Sequence, residues 1–417
     1  MNQSTCVVCG SRVSKILDLQ VQPLANKLLY SQDEPFEAFP LGLAACTGCG
    51  HAQLSHFVDP QRLFDNYLYA SGTSQTMAAY FEWFASSLAS ILPSGARILE
   101  IASNDGSLLR RLNDSGLQSV GIDPAANLTA AAASEGLAVL TGYFPDTSPE
   151  GTFDAIVAMN VAAHTPAPLT FMQGIAAALA PGGIALLQTS QAWMVSRGEF
   201  DTVYHEHYSF FSVNSMRRLA EAAGLVLSKV DLVSVHGTSF LFSLHHPGQE
   251  PLALPASGSF AVPWPPDPRP SSLATNFDAN DAEEDFAQFS ARVHGLLRDV
   301  SSRVTAYRAE GYGVALVGVA AKALTFVHAA KLDPDAYFDE APMKIGRYVP
   351  GARTPIAPLG DLHLLTRPFV LLLGAWNFAD ELIAKIEALN LPVRHRFLVY
   401  LPEVREHPYG GDGARGH

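Results

Sequence analysis

The chain has 417 residues, 48% of them hydrophobic and 16% charged, with a formal net charge of −13. That length exceeds one ordinary hydrophobic core, so two or three domains are expected, and the composition suits a globular enzyme rather than a disordered chain. The acidic balance and the lack of any Lys/Arg-rich run argue against a nucleic-acid partner, no apolar run reaches the roughly 18 residues of a membrane span, and Met1–Thr5 lacks a basic-then-apolar secretion signal; the expectation is a cytoplasmic protein that meets no membrane.

All four cysteines fall within the first 50 residues, as Cys6-Val7-Val8-Cys9-Gly10 and Cys46-Thr47-Gly48-Cys49-Gly50. A two-residue gap lets both thiolates of one turn face one ion, and the trailing glycine permits the tight turn. Two such turns complete a closed tetrahedral set, so a structural Zn2+ is expected on Cys6, Cys9, Cys46 and Cys49 within a module spanning 1–75. Four thiolates leave no open position for water. The ion therefore holds together a segment too small for its own core and has no catalytic task.

Next, Arg97 to Ile101 reads as a buried strand, followed by the small-residue loop Ala102-Ser103-Asn104-Asp105-Gly106 and a helix start. Val120-Gly121-Ile122-Asp123-Pro124 is a second strand ending in an acid, and Phe153 to Asn160 a third. Leu169 to Leu179 is helical, and Pro181-Gly182-Gly183 leads into Ile184-Ala185-Leu186-Leu187-Gln188. Strands alternating with helices indicate a parallel sheet, which binds ligands at the carboxyl ends of its strands. The loop departs from G-x-G-x-x-G, so a nicotinamide dinucleotide is disfavoured. Glu100 with six residues to Gly106, then Asp123, then Pro-Gly-Gly, follows the class I methyltransferase order. The domain spans 76–246, its cofactor is S-adenosylmethionine, and the expected contacts are Glu100, Ala102, Asn104, Gly106, Asp123, Pro124 and Asn160, with Asp123 on the ribose diol.

Tyr204-His205-Glu206-His207 brings a phenol, two imidazoles and a carboxylate together in sequence. In an extended segment Tyr204 and Glu206 share one side and His205 and His207 the other; a turn breaks that alternation. Acid/base chemistry suits these groups, because histidine titrates nearest neutral pH and a carboxylate raises its basicity. A surface strand with hydrogen-bonded histidines is the alternative. H-E-H lacks the H-E-x-x-H spacing of zinc proteases. His164 follows a strand end, where ligands bind.

Residues 247–279 are rich in proline and serine and read as a linker. Phe286, Phe289, Val293, Leu296, Leu297, Val300, Val304 and Tyr307 recur at helical steps, one apolar stripe. Val314 to Gly318 is a strand turning into a helix with Lys322, and Phe369 to Leu373 another buried strand. A second Rossmann-like α/β domain is expected over 280–402, across a cleft from the first, with a frayed tail at 403–417.

In order, these pieces resemble the sugar C-methyltransferases of deoxysugar biosynthesis, over roughly residues 5–400. The resemblance rests on the two knuckles, Phe39-Pro40-Leu41, Tyr67-Leu68-Tyr69-Ala70-Ser71-Gly72, Glu100 to Gly106 and Gly121 to Pro124. It continues through Asn160 to His164, Tyr204 to His207, His236-Gly237, Met343 to Gly351 and Ala375-Trp376-Asn377. It implies a nucleotide-linked 4-keto-deoxysugar as substrate, methylated beside the ketone, usually at C3, in antibiotic biosynthesis. By the same resemblance His207 is the general base, Glu206 and Tyr204 lie beside the sugar, His164 lines the pocket, and Tyr67 or Tyr69 joins them. His236, Lys322, Lys344 and Arg347 are implied on the substrate. The chain departs from the family at His236-Gly237-Thr238-Ser239, where His-Gly-Gly-Ser followed by Arg is usual. The rival readings are an O- or N-methyltransferase and a zinc-knuckle nucleic-acid-binding protein with a vestigial methyltransferase domain.

Overall fold

A computed structural model describes residues 4–64, 75–190, 194–252, 254, 260, 262 and 279–408, the side chains of residues 75, 279–285 and 408 excepted. Tyr67, Tyr69 and most of the proline-rich stretch lie outside the described residues. The chain forms two compact units, each assembled from separate segments. The first takes Met1–Lys15, Ala44–Ala192 and Glu206–Glu284; the second takes Ile16–Leu43, Trp193–His205 and Asp285–His417. The module expected over 1–75 is thus shared between the two.

Strands β1 (Val13–Pro23) and β2 (Ala38–Cys46) are neighbours in one sheet. β3 (Ala52–Leu54) begins the run of first-unit strands, followed by β4 (Arg97–Ile101), β5 (Gln118–Asp123), β6 (Val139–Thr141), β7 (Phe153–Met159) and β8 (Leu179–Thr189). β9 (Ser209–Phe210) pairs antiparallel with β3. β10 (Val226–Val233) and β11 (Ser239–His245) complete, among the described residues, a seven-stranded sheet of order β10-β11-β8-β7-β4-β5-β6. β4 to β8 run parallel. β11 runs antiparallel to β8 with Phe240 opposite Thr189, which carries the β10–β11 turn to the edge where the parallel strands end.

The core follows from the sequence periods. On the helix Gln75–Ala89, Met77, Tyr80, Phe81, Phe84, Ala85 and Leu88 form a single stripe at three- and four-residue steps. It packs on alternate residues of the strands, Ile98 on β4, Ala155 and Val157 on β7, Ile184 and Leu186 on β8. Pro181-Gly182-Gly183, expected before the fourth strand, lies inside β8, and the register with β7 shifts between Phe153 and Ala155. A Cβ on Gly183 would stand 2.9 Å from the Ala180 carbonyl oxygen and 3.0 Å from that of Asp154, so only glycine lets the strand pass there.

In the second unit the helix Ala279–Ala309 buries Phe286, Phe289, Val293, Val300 and Val304. It precedes β12 (Gly313–Val317), β13 (Ala336–Asp339), β14 (Ile356–Pro358), β15 (Phe369–Leu373), β16 (Arg396–Val399) and β17 (Arg405–Pro408). The order is β14-β13-β12-β15-β16-β17, parallel except for β17. Counted from its first strand outward, the parallel part has the same order as β6-β5-β4-β7-β8, so both sheets are doubly wound and Rossmann-like, as expected. Among the described residues no helix is long and apolar enough to cross a membrane.

Candidate active site and metal site

The loop after β4 is held in a shape most residues avoid. Ala102 (φ 58°), Asn104 (φ 50°) and Gly106 (φ 73°) are all left-handed, and Asn160, just beyond β7, has φ 56°. Such conformations cost energy and persist only where the surroundings impose them. Here the Ser103 N–H donates to the Ile122 carbonyl at 3.0 Å, and the crossing needs Gly121, whose Cβ would meet Ser103 Oγ at 2.4 Å. Asp123 accepts the Asn104 N–H on Oδ2 and the Ala125 N–H on Oδ1, both at 2.9 Å. Burial pushes its carboxyl up, against those two hydrogen bonds. Pro124 follows, half-buried. Glu100 is buried, and burial first, then Asp105 and Asp123, push it well above the usual carboxylate range.

At this same edge lie buried polar atoms with no hydrogen-bond partner among the described residues: Glu100 Oε2, Ser103 Oγ, Asn160 Oδ1, His164 Nδ1, Gln188 Nε2 and Thr189 Oγ1. Each such group costs about 1–3 kcal/mol unless a ligand satisfies it. Gathered at the carboxyl ends of β4, β7 and β8, they fit a ligand rich in donors and acceptors, as S-adenosylmethionine is. Gln188 and Thr189 lie outside the set of site residues expected from the sequence. The available signal was a polar pair ending the aliphatic run Ile184–Leu187.

The turn at His205–Glu206 breaks the extended alternation of the Tyr204–His207 segment. The division between units also falls there, with Tyr204 and His205 in the second and Glu206 and His207 in the first. His205 Nε2 lies 3.2 Å from the Phe39 carbonyl oxygen, and the His205 ring packs edge-on against Phe39. His164 ends the short turn Ala162–His164, and the Glu206 backbone hydrogen-bonds its ring. The His207 ring centroid lies 4.7 Å from that of His164 at 68°, and Phe64 lies 5.6 Å away from His164. Glu206 and His207 are buried. His236 opens a left-handed turn with Gly237 and Thr238, φ 53°, 87° and 114°.

Burial pushes His164 and His328 down to about 4 from the ordinary 6.5. Both are neutral when folded, so the unfolded chain takes up their protons first as the pH falls. The stability tied to them is complete above about 6.5 and is lost from there toward 4. Buried carboxyls such as Glu100 act in the opposite sense, so the histidine part is read as a difference. Between pH 7 and 5 the wild-type thermal midpoint is expected to fall further than that of His328→Leu, by the equivalent of about 1–2 kcal/mol. Parallel pH profiles would contradict the neutral burial of His328.

In the second unit, Lys344 Nζ donates to the Val319 carbonyl at 2.9 Å and to Asp339 Oδ2 at 3.1 Å. Asp339 also accepts the Val319 and Ala341 N–H groups, each at 2.8 Å. Lys344 thus ties the ends of β12 and β13 together. Lys322 Nζ lies 5.7 Å from the Trp376 ring centroid, while Trp376 Nε1 donates to the buried Asp201 at 2.7 Å. The Arg347 guanidinium stacks 3.4 Å from the Tyr30 ring centroid.

The four cysteine sulfurs lie within 4.8 Å of one another, with Cys6–Cys49 at 3.7 Å and Cys9–Cys46 at 3.4 Å. Zinc–sulfur bonds of about 2.3 Å in a tetrahedron put sulfurs about 3.8 Å apart, so the set fits the ion. Each knuckle closes as designed by its glycine: Gly10 N–H donates to the Cys6 carbonyl and Gly50 N–H to that of Cys46, with φ 74° and 68°. A hydrogen bond with Cys6, and burial, push the Cys49 thiol far up, so four thiolates coexist there only around a cation. Asn214 Nδ2 donates to the Cys49 carbonyl at 3.1 Å, joining the knuckle to the helix Val213–Ala222.

Three family descriptions match successive stretches: "Putative zinc binding domain" over residues 6–64, "Methyltransferase domain" over 74–230 and "C-methyltransferase C-terminal domain" over 275–402. C-methyltransferase NovU of Streptomyces niveus is 28% identical over 416 residues, covering 96% of each chain. Among solved structures, the magnesium protoporphyrin IX methyltransferase ChlM of Synechocystis PCC 6803 with bound SAH is 11% identical, with a TM-score of 0.35 over 43% of this chain and 90% of that one. A methyltransferase of Clostridium acetobutylicum ATCC 824 is 9% identical, with a TM-score of 0.34 over 42% and 94%. The three family matches in this order, with NovU similar from end to end, make the chain an S-adenosylmethionine-dependent methyltransferase similar to C-methyltransferase NovU, with a stretch at its N-terminus that matches a zinc-binding domain.

Proposed function

We propose that the methyl acceptor is the carbon beside the ketone, C3, of a nucleotide-linked 4-keto-deoxysugar, in a deoxysugar pathway of antibiotic biosynthesis. The similarity to C-methyltransferase NovU supports carbon as the methyl acceptor, the sugar follows the motif resemblance set out from the sequence, and the observation that carries the chemistry is the packing of His207 on His164 beside Glu206. Methylating carbon differs from methylating oxygen or nitrogen in needing a base strong enough to remove a C–H proton first. His207 takes that proton, and the electron pair it leaves behind delocalises on to the ketone oxygen. Bound S-adenosylmethionine supplies the electrophilic methyl group and leaves as a neutral thioether. His164 stays neutral at pH 7 and lines the acceptor pocket. Glu206 and Tyr204 lie beside the sugar, with Tyr67 or Tyr69. Asp123 takes the cofactor ribose, and Glu100, Ala102, Asn104, Gly106, Pro124 and Asn160 frame it. His236, Lys322, Lys344 and Arg347 are assigned to the sugar nucleotide, and Cys6, Cys9, Cys46 and Cys49 to zinc.

The test is incubation with methyl-labelled S-adenosylmethionine and a panel of 4-keto-deoxysugar nucleotides. NMR of the product is expected to show a new methyl group bonded to the carbon next to the ketone. Label on oxygen or nitrogen would replace this reading with an O- or N-methyltransferase.

A further inference from the structure

Gln188 has no role in the reaction as described so far. It ends the row Ile184, Leu186, Gln188 on the face of β8 that carries the helix Gln75–Ala89. The position is fully buried, and the Tyr80 hydroxyl donates to Gln188 Oε1 at 2.5 Å. Tyr80 is fully buried as well, and burial pushes its phenol far up, so it remains a neutral donor. With Oε1 engaged, the two N–H bonds of Nε2 are turned the other way, and among the described residues no acceptor meets them. An aliphatic residue would fill this place without that cost. The place itself is informative: Gln188 stands opposite Met159 of β7 and Leu241 of β11, and its carbonyl accepts the Asn160 N–H at 2.9 Å. The amide therefore sits at the carboxyl edge, on the strand between the loop carrying Asn160 and His164 and the turn carrying His236.

We infer that Gln188 is an oxyanion-binding donor of the methyl-transfer site, with Tyr80 as the residue that positions it. A neutral amide stabilises negative charge on oxygen through its N–H bonds without taking the proton itself. Two ligand oxygens carry such charge: the carboxylate of the cofactor's methionyl part, and the ketone oxygen of the acceptor once its neighbouring carbon is deprotonated. The second source rests on the function proposed above; the first does not.

The experiment uses Gln188→Met, Tyr80→Phe and the double variant in the full chain. Removing both polar partners in favour of apolar groups of similar shape is close to neutral for stability, so the double variant keeps the test independent of folding. Two quantities are read: affinity for S-adenosylhomocysteine by calorimetry, and exchange of the sugar's α-hydrogen in heavy water together with methylation turnover. A tenfold or greater loss of S-adenosylhomocysteine affinity assigns Gln188 to the cofactor carboxylate. An equal loss of exchange and turnover at unchanged affinity assigns it to the ketone oxygen. A folded double variant within twofold of wild type in both overturns the inference. Tyr80→Phe is expected to lower the same quantity severalfold, seen in kcat rather than KM if the ketone oxygen is the ligand; a fall in thermal midpoint with neither quantity changed would make Tyr80 merely structural. If the wild type exchanges no ketosugar yet the double variant loses cofactor affinity, the donor stands and carbon methylation fails. If the wild type exchanges normally and the double variant matches it in both, carbon methylation stands and the donor fails.

Discussion

His207→Ala is expected to bind S-adenosylhomocysteine and the ketosugar nucleotide yet to lose α-hydrogen exchange and methylation together, by about 10²–10⁴-fold, the usual worth of a positioned base. The two activities should fall in step because deprotonation precedes carbon–carbon bond formation, and a variant that cannot do the first has nothing to methylate. His207 is preferred over its neighbour on physical grounds. Burial holds His164 down to about 4, which makes it a weak base at neutral pH. His207 instead leads directly from Glu206, whose carboxylate is suited to supporting an imidazolium. Glu206→Gln should therefore lose less, since the side chain keeps its shape and loses only its charge. NMR of the sugar in heavy water reads exchange directly, with ligand affinity as the control for folding. Undiminished exchange by His207→Ala would move the base to His164 or to a tyrosine.

Cys46→Ser is expected to cost the protein its metal and with it the fold of the knuckles, giving insoluble or aggregating chain before any effect on chemistry is measurable. Structural zinc in small domains contributes about 10–16 kcal/mol of apparent folding free energy at neutral pH, far more than the few hydrogen bonds, such as Val7 N–H to Gln53 Oε1 and Asn214 Nδ2 to the Cys49 carbonyl, that otherwise hold the knuckles. The Cys46 sulfur accepts the Gly48 N–H at 3.3 Å and stands against Cys9, so its loss removes a ligand and the organiser of its own turn. Elemental analysis of the wild type should find about one zinc per chain, and chelation should reproduce the solubility loss. A soluble, metal-free wild type, or one with Cys6 and Cys9 joined in a disulfide, would remove the basis for this expectation.

The parts legible before folding are those whose physics is local. Two C-x-x-C-G turns declare a metal site because each is built within five residues. Glu100 to Gly106 and Asp123 declare a small-residue loop at a strand end because the left-handed positions and the acid are a few residues from strands with obvious apolar runs. The stripe from Phe286 to Val304 declares a helix by its period. Other features depend on distant segments meeting. Whether Tyr204–His207 was extended or turned had no local answer, and the turn places Glu206 and His207 with His164. Gln188 reads as a stray polar residue in an aliphatic strand until Tyr80, 108 residues away, is found bonded to it. Likewise Ile16–Leu43 and Trp193–His205 fold with Asp285–His417 rather than with their sequence neighbours. A hydrophobic pattern states which face of a segment leaves water but not which remote segment covers it, because burial is non-directional and many apolar partners satisfy it equally. Choosing among them takes the directional bonds and close packing that exist only once the chain has folded.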